Sequence, residues 1–222
     1  MAKLPSLVPR SFLPSSRAVK RMVTDFCERS GLVYFGYVSQ RSDDHQIVRG
    51  MTVSTNHLDD HYCIGTYDGY DVVFVERTDS LKNGKQHVWH IMEFDLKSSS
   101  DMPHIFIGSS KRGHGFHELL SVKYPSLQAM SPGTTAPYPA SFTTHFSTYV
   151  TPAHAVESES IITPEIAETI ADHFKGLVME ITEQALYVYS EKSHLSPELL
   201  DAMLANGVWL AARLDRRNDR RS

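Results

Sequence analysis

No stretch of the 222-residue chain approaches the about eighteen uninterrupted apolar residues of a membrane-spanning helix. Cysteine is scarce: only Cys27 and Cys63, with no C-x-x-C pair. Two cysteines exclude a disulfide framework and a cysteine-rich metal knuckle. A reducing cytosol is the simplest compartment, with a single bridge left open. There is no G-x-S-x-G elbow, no recognisable cysteine-protease context around either cysteine and no internal repeat. No strand–helix alternation of the dinucleotide-binding or P-loop kind runs through the chain. "MAKLPSLVPRSFLP" at the N-terminus lacks a clear small-residue cleavage site and is broken by three prolines and Arg10. It reads as a flexible arm, residues 1–15, and not as a signal peptide.

Acidic residues are missing from the first 21 positions, which hold Lys3, Arg10, Arg17, Lys20 and Arg21. The last ten residues, "RLDRRNDRRS", carry five arginines against two aspartates. Since the whole chain is at −4, the body between these basic ends carries −12. Basic ends on an acidic body suit an anionic membrane surface or an acidic partner protein, and residues 216–222 read as a basic tail. The simpler account is a solvated arm and a helix end whose arginines suit the helix dipole. The acidic body argues against nucleic acid spread over it.

Periodicity predicts one α+β domain over residues 16–215, with a mainly antiparallel sheet, an N-terminal helix and two helices in the C-terminal half. Ser15 or Ser16 caps a helix ending at Gly31, with Val19, Met22, Val23, Phe26 and Cys27 on one stripe. That stripe either packs on the sheet or lies on a membrane surface. Strands are expected at 32–40, 46–54, 87–97, 104–108 and in "FTTHFSTYV". In 87–97 the even positions form an apolar face and the odd positions, ending in Glu93, Asp95 and Lys97, meet water. Asp68-Gly69 between two strand-like runs predicts a two-residue type I′ hairpin. Residues 177–189 form a second hairpin, turning near Glu183-Gln184. Thr163-Pro164 and Ser196-Pro197 open the last two helices. "HGFHELLSVKY" reads as a short helix, and 124–141 as an irregular loop.

Two candidate sites emerge. In "HLDDH", His57 and His61 stand four apart, the spacing at which helical histidines share a metal. The hairpin register argues otherwise: facing pairs counted out from Tyr67 and Tyr70 put His61 opposite Glu76 and Asp60 opposite Arg77. These are complementary cross-strand pairs, and extended histidines four apart are about 13 Å from each other. A metal set of His57, His61 and Glu76 requires a tight loop at 56–60. The second candidate is "GSSKRGHG", where Gly108, Lys111, Arg112, Gly113 and Gly115 could offer backbone N–H groups and positive charge to a phosphate. The Gly-Lys-Ser/Thr end of a P-loop is missing, so magnesium coordination by a loop hydroxyl is not expected. The twelve histidines are otherwise scattered. His90, on the apolar strand face, reads as a hydrogen-bonded core residue.

Phe142, Phe146 and Tyr149, followed by Ile162-Thr163-Pro164, a hairpin and a last helix, resemble a bacterial domain-of-unknown-function family. "HVWHIMEFDL" resembles that family's strand before a variable loop, and the likeness extends over residues 30–215. It implies one α+β domain and no assigned activity, so no catalytic residue is carried over. Relatives often carry membrane helices ahead of the domain, a feature this sequence does not show.

The reading that follows is a non-catalytic cytoplasmic binding or scaffold domain that uses no cofactor. Its partner is a protein or an anionic membrane surface, with self-association through the first or last helix as a further option. The alternative is a ligand-binding protein or enzyme using a phosphate-bearing small molecule at 108–115 or a metal near 57–76.

Overall fold

The computed structural model describes residues 16–37, 57–80, 86–98, 101–110, 124–130, 137–190 and 194–218. The first helix, α1 (Ser16–Ser30), turns its apolar stripe inward: Val23, Phe26 and Cys27 are buried, and Val19 and Met22 pack beside them. The stripe is thus packed against the protein's own sheet. Arg17, Lys20 and Arg21 stay exposed on the opposite side. Gly31, at φ 70°, ends the helix as expected. The Leu32 N–H then bonds the Cys27 carbonyl at 2.8 Å, closing a Schellman-type cap.

Strands β1 (Val33–Gly36), β2 (His57–Tyr67), β3 (Tyr70–Ser80), β4 (Gln86–Asp95) and β5 (Met102–Ser109) follow. After a short β6 (Gln128–Ala129) come α2 (Ala140–His145), β7 (Phe146–Val150), α3 (Ala155–Ile161) and α4 (Pro164–His173). The hairpin β8 (Val178–Glu183) and β9 (Ala185–Ser190) leads to α5 (Pro197–Asn218). The described strands form one nine-stranded sheet in the order β1-β2-β3-β4-β9-β8-β5-β7-β6, antiparallel at each pairing. This is the α+β architecture read from the sequence. Inserting the β8–β9 hairpin between β4 and β5 is a non-local pairing that periodicity does not reveal.

Local chemistry explains the turns and caps. Asp68 and Gly69 take φ of 49° and 78°, the pair of positive values a type I′ turn demands. Thr163 caps α4 by accepting from the Ile166 N–H, with Pro164 in the first position. Ser196 accepts from the Leu199 N–H ahead of α5. Two expectations change. "FTTHFSTYV" is strand only from Phe146. Its first half is the short helix α2, where Phe142 stacks on Phe146 and packs edge-on against Tyr138. Core contacts there override strand propensity. The first strand is confined to Val33–Gly36. The strand expected at 46–54 lies outside the described residues, as does most of the helix expected in "HGFHELLSVKY".

The helices cover one face of the sheet and share its larger core, which includes Phe74, Met92, Phe94, Ile105, Ile170, Phe174 and Leu200. Gly207 of α5 lies against Phe94: a Cβ added there would sit 2.1 Å from the Phe94 ring. Cys27 and Cys63 form a disulfide that ties α1 to β2, taking the option that two cysteines leave open. The opposite face carries its own cluster, with Tyr62, Val75, Trp89, Ile91, Phe106, Tyr149, Val178, Tyr187 and Tyr189. The odd positions of β4 therefore do not all meet water. Trp89 and Ile91 are fully buried, and this face opens only towards the strand ends, at His87 and at Glu93 and Asp95.

Candidate functional site

The hairpin register holds from Tyr67↔Tyr70 to Cys63↔Phe74, then slips by one residue. A bulge at His61-Tyr62 causes the slip, with His61 at φ 57°. Beyond it Asp60, not His61, stands opposite Glu76, and Asp59, not Asp60, stands opposite Arg77. His61 Nδ1 lies 2.9 Å from the Tyr34 hydroxyl. Glu76 meets His90 Nε2 at 3.2 Å. Partial burial pushes the Glu76 carboxyl up, but the bond from His90 and the charge of His61 outweigh it and hold it below its usual range. His90 is thus the hydrogen-bonded core histidine that the strand pattern implies. The His57 side chain lies outside the described residues. Among those described, no three His, Cys, Asp or Glu side chains are grouped to hold a metal ion.

The second candidate separates as well. Gly108 sits within β5 opposite Ser147, so it belongs to the sheet ladder and not to a loop. The bonds that follow it, from the Ser110 N–H to the His145 carbonyl and from the Ser110 hydroxyl to the Thr144 carbonyl, fasten the strand end to α2. Lys111, Arg112, Gly113 and Gly115 lie outside the described residues.

What the structure does assemble is a cavity of about 530 Å³ on the sheet face opposite the described helices, where β4, β9, β8 and β5 run side by side. The pairings Glu93↔Tyr187 and Glu180↔Tyr187 place these three side chains in one row across three strands. The Tyr187 hydroxyl donates to Glu93 Oε1 at 3.2 Å. Glu180 lies deeper and is fully buried. Its Oε1 meets His104 Nε2 at 2.8 Å, and its Oε2 accepts from the Tyr189 hydroxyl. Tyr124 also hydrogen-bonds Glu180 and sets its ring edge-on to His104, with centroids 4.5 Å apart. Burial raises the Glu180 carboxyl, but the bonds from His104, Tyr189 and Tyr124 prevail and hold it below its usual range. It is therefore a buried carboxylate satisfied by donors. Burial and the same carboxylates push the Tyr124 and Tyr187 hydroxyls well above their usual value.

Towards the opening, Asp101 Oδ1 accepts from Gln184 Nε2 at 3.3 Å, and Asp95 and Glu183 complete an acidic mouth. Burial and the neighbouring Asp71 raise the Asp95 carboxyl. Thr182 and Ala185 also line the cavity, and among the described residues no lysine or arginine does. The sequence carries a signal for this site. Glu180 is a lone acid within the apolar run "LVMEI", Glu93 another within "HIMEF", and Tyr187 and Tyr189 alternate along one strand face. An acid at an inward strand position is costly unless partnered, so each marks a built polar cluster.

No family model and no curated protein sequence matches the chain. Among solved structures it is similar to the crystal structure of the mycobacterial trehalose monomycolate transport factor A, TtfA, with a TM-score of 0.58 at 10% identity, covering 90% of this chain and 94% of that one. At that identity the likeness speaks for the fold. Among the described residues no helix is long and apolar enough to cross a membrane.

Proposed function

We propose that this is a binding domain that works without catalysis, and that it holds a chemical group of its ligand or partner in the cavity between β4 and β5. The observation that carries the reading is the buried Glu180 and the donors fixed around it, beside an open volume of about 530 Å³. A carboxylate taken out of water is costly, and here it fixes the His104 and Tyr124 rings on the cavity wall. Among the described residues the cavity wall holds a histidine but no serine or cysteine nucleophile, which favours holding a ligand over covalent chemistry.

The test is native mass spectrometry of the protein after exposure to a size-filtered small-molecule extract. The wild type should retain an adduct that an Ala185→Trp variant, with its cavity filled, loses. A wild type that retains nothing, or an adduct that survives in the variant, would overturn the reading.

A further inference from the structure

Cys63 pins one half of the β2–β3 hairpin. Its side chain is fully buried and bridged to Cys27 of α1. From Tyr67↔Tyr70 to Cys63↔Phe74 the ladder is regular, so a slip of β2 against β3 has to be absorbed beyond Cys63. That is where the bulge lies, with His61 at φ 57°. This left-handed backbone is sparsely populated by residues other than glycine and costs free energy. The bulged register also sets two carboxylates, Asp60 and Glu76, opposite each other, an arrangement that repels. What the register gains is Asp59 opposite Arg77, joined by two bonds from the guanidinium and one from the Tyr62 hydroxyl.

The sequence contains a second solution. Without the bulge, each facing pair beyond Cys63 moves by one residue, which puts Asp60 opposite Arg77 and His61 opposite Glu76. Facing residues of an antiparallel pair share a face of the sheet. Arg77 then meets an aspartate again, Glu76 exchanges a like charge for a histidine, and position 61 returns to extended backbone. The Asp59-Asp60 doublet makes this possible, because a one-residue slip replaces one aspartate by the next. In the bulged register Asp60 Oδ1 accepts from the His61 N–H at 2.7 Å, so the residue that would inherit Arg77 now fastens the bulge. We propose that the outer end of β2, residues 57–60, is a two-register element: the bulged register is its ground state, and a straight register, with Asp60 on Arg77 and His61 on Glu76, is its alternative. Strand side chains alternate between faces, so the slip carries Leu58 and Asp59 each to the other side of the sheet. Leu58, now opposite Thr78 and 54% exposed, marks the difference at the surface. Any contact made in one register and lost in the other shifts the balance between them.

The test combines urea unfolding with NMR of the full chain. His61→Val penalises the bulged register, because a β-branched residue resists positive φ and suits an extended strand. Asp59→Asn removes the partner that Arg77 has in the bulged register. Each single variant should lower the urea midpoint. The double variant should lose less than the sum of the two single losses, since Asp60 then holds Arg77 and position 61 is extended. Its cross-strand NMR contacts should join residue 60 to residue 77, where the wild type joins residue 59 to residue 77. In the wild type, Asp60→Asn should move the midpoint little, because the asparagine oxygen still accepts from the His61 N–H. Added to the double variant, the same change should lower the midpoint by as much as Asp59→Asn does alone. Additive losses, contacts that still join 59 to 77, a triple variant no weaker than the double, or a double variant that does not fold would overturn the proposal.

Discussion

Arg77 closes its guanidinium fork on Asp59, with Nε 2.8 Å from Oδ1 and Nη2 2.7 Å from Oδ2, and both side chains are almost completely buried. The Tyr62 hydroxyl adds a third donor to Asp59 Oδ2 at 2.9 Å. Removing one charge from a buried bidentate pair strands the other, so Asp59→Asn should cost about 3–5 kcal/mol. Tyr62→Phe deletes a single bond to a charged group and should cost about 1.5–3 kcal/mol. Urea unfolding of both variants checks the order. A loss below about 1 kcal/mol for Asp59→Asn would show that the pair is not held out of water.

That pair also shows where reading the sequence succeeds and where it stops. Asp68-Gly69 sets the register because both residues must take positive φ, and the count outward from it is right as far as Cys63↔Phe74. The bulge at His61-Tyr62 has no such local marker, since histidine enters the left-handed region without glycine's signature. Helix caps at Thr163 and Ser196 were legible because a cap is a local bond. The cavity was not, because it forms only when the β8–β9 hairpin slots between β4 and β5, bringing Glu180 beside His104, 76 residues apart in sequence. Both flanks of that hairpin were readable as strands, but their sheet neighbours were not.

Gly207 offers a test of sign. On helix propensity alone, Gly207→Ala should stabilise α5 by up to about 1 kcal/mol. The close approach of Phe94, 2.1 Å from the added carbon, reverses this and should cost about 1–3 kcal/mol through overpacking. Thermal unfolding decides between the two, and a raised Tm would show that α5 does not lie this close to the sheet.

Glu180 should make stability depend on acid. Its folded-state pKa lies below the value of about 4.3 for an unfolded glutamate, so the folded protein takes up the proton less readily. The stability it contributes is complete above that unfolded value and is lost as pH falls through the depressed one. Wild-type stability should therefore drop more steeply than that of Glu180→Gln below about pH 4.3. Parallel curves from chemical unfolding at a series of pH values would contradict the buried-carboxylate assignment.

Reduction should loosen α1. The Cys27–Cys63 bridge closes a separation of 36 residues, for which chain entropy suggests about 3–4 kcal/mol. A Cys27→Ala/Cys63→Ala variant should unfold at lower denaturant by that margin, and a thiol assay on the untreated native protein should find no free cysteine. Two free thiols would point back to a reducing compartment.

Asp215, in the last turns of α5, accepts from the Tyr70 hydroxyl at 2.8 Å and from the Lys97 and Ser98 N–H groups at 3.1 and 3.2 Å. The end of a 22-residue helix is thereby moored to the first residue of β3, next to the Asp68-Gly69 turn. A fluorophore on that turn and a quencher on the exposed flank of Arg216 would form a short molecular ruler. Its signal would stay dark while the mooring holds and brighten when the helix lifts, so partial opening could be timed separately from loss of the sheet.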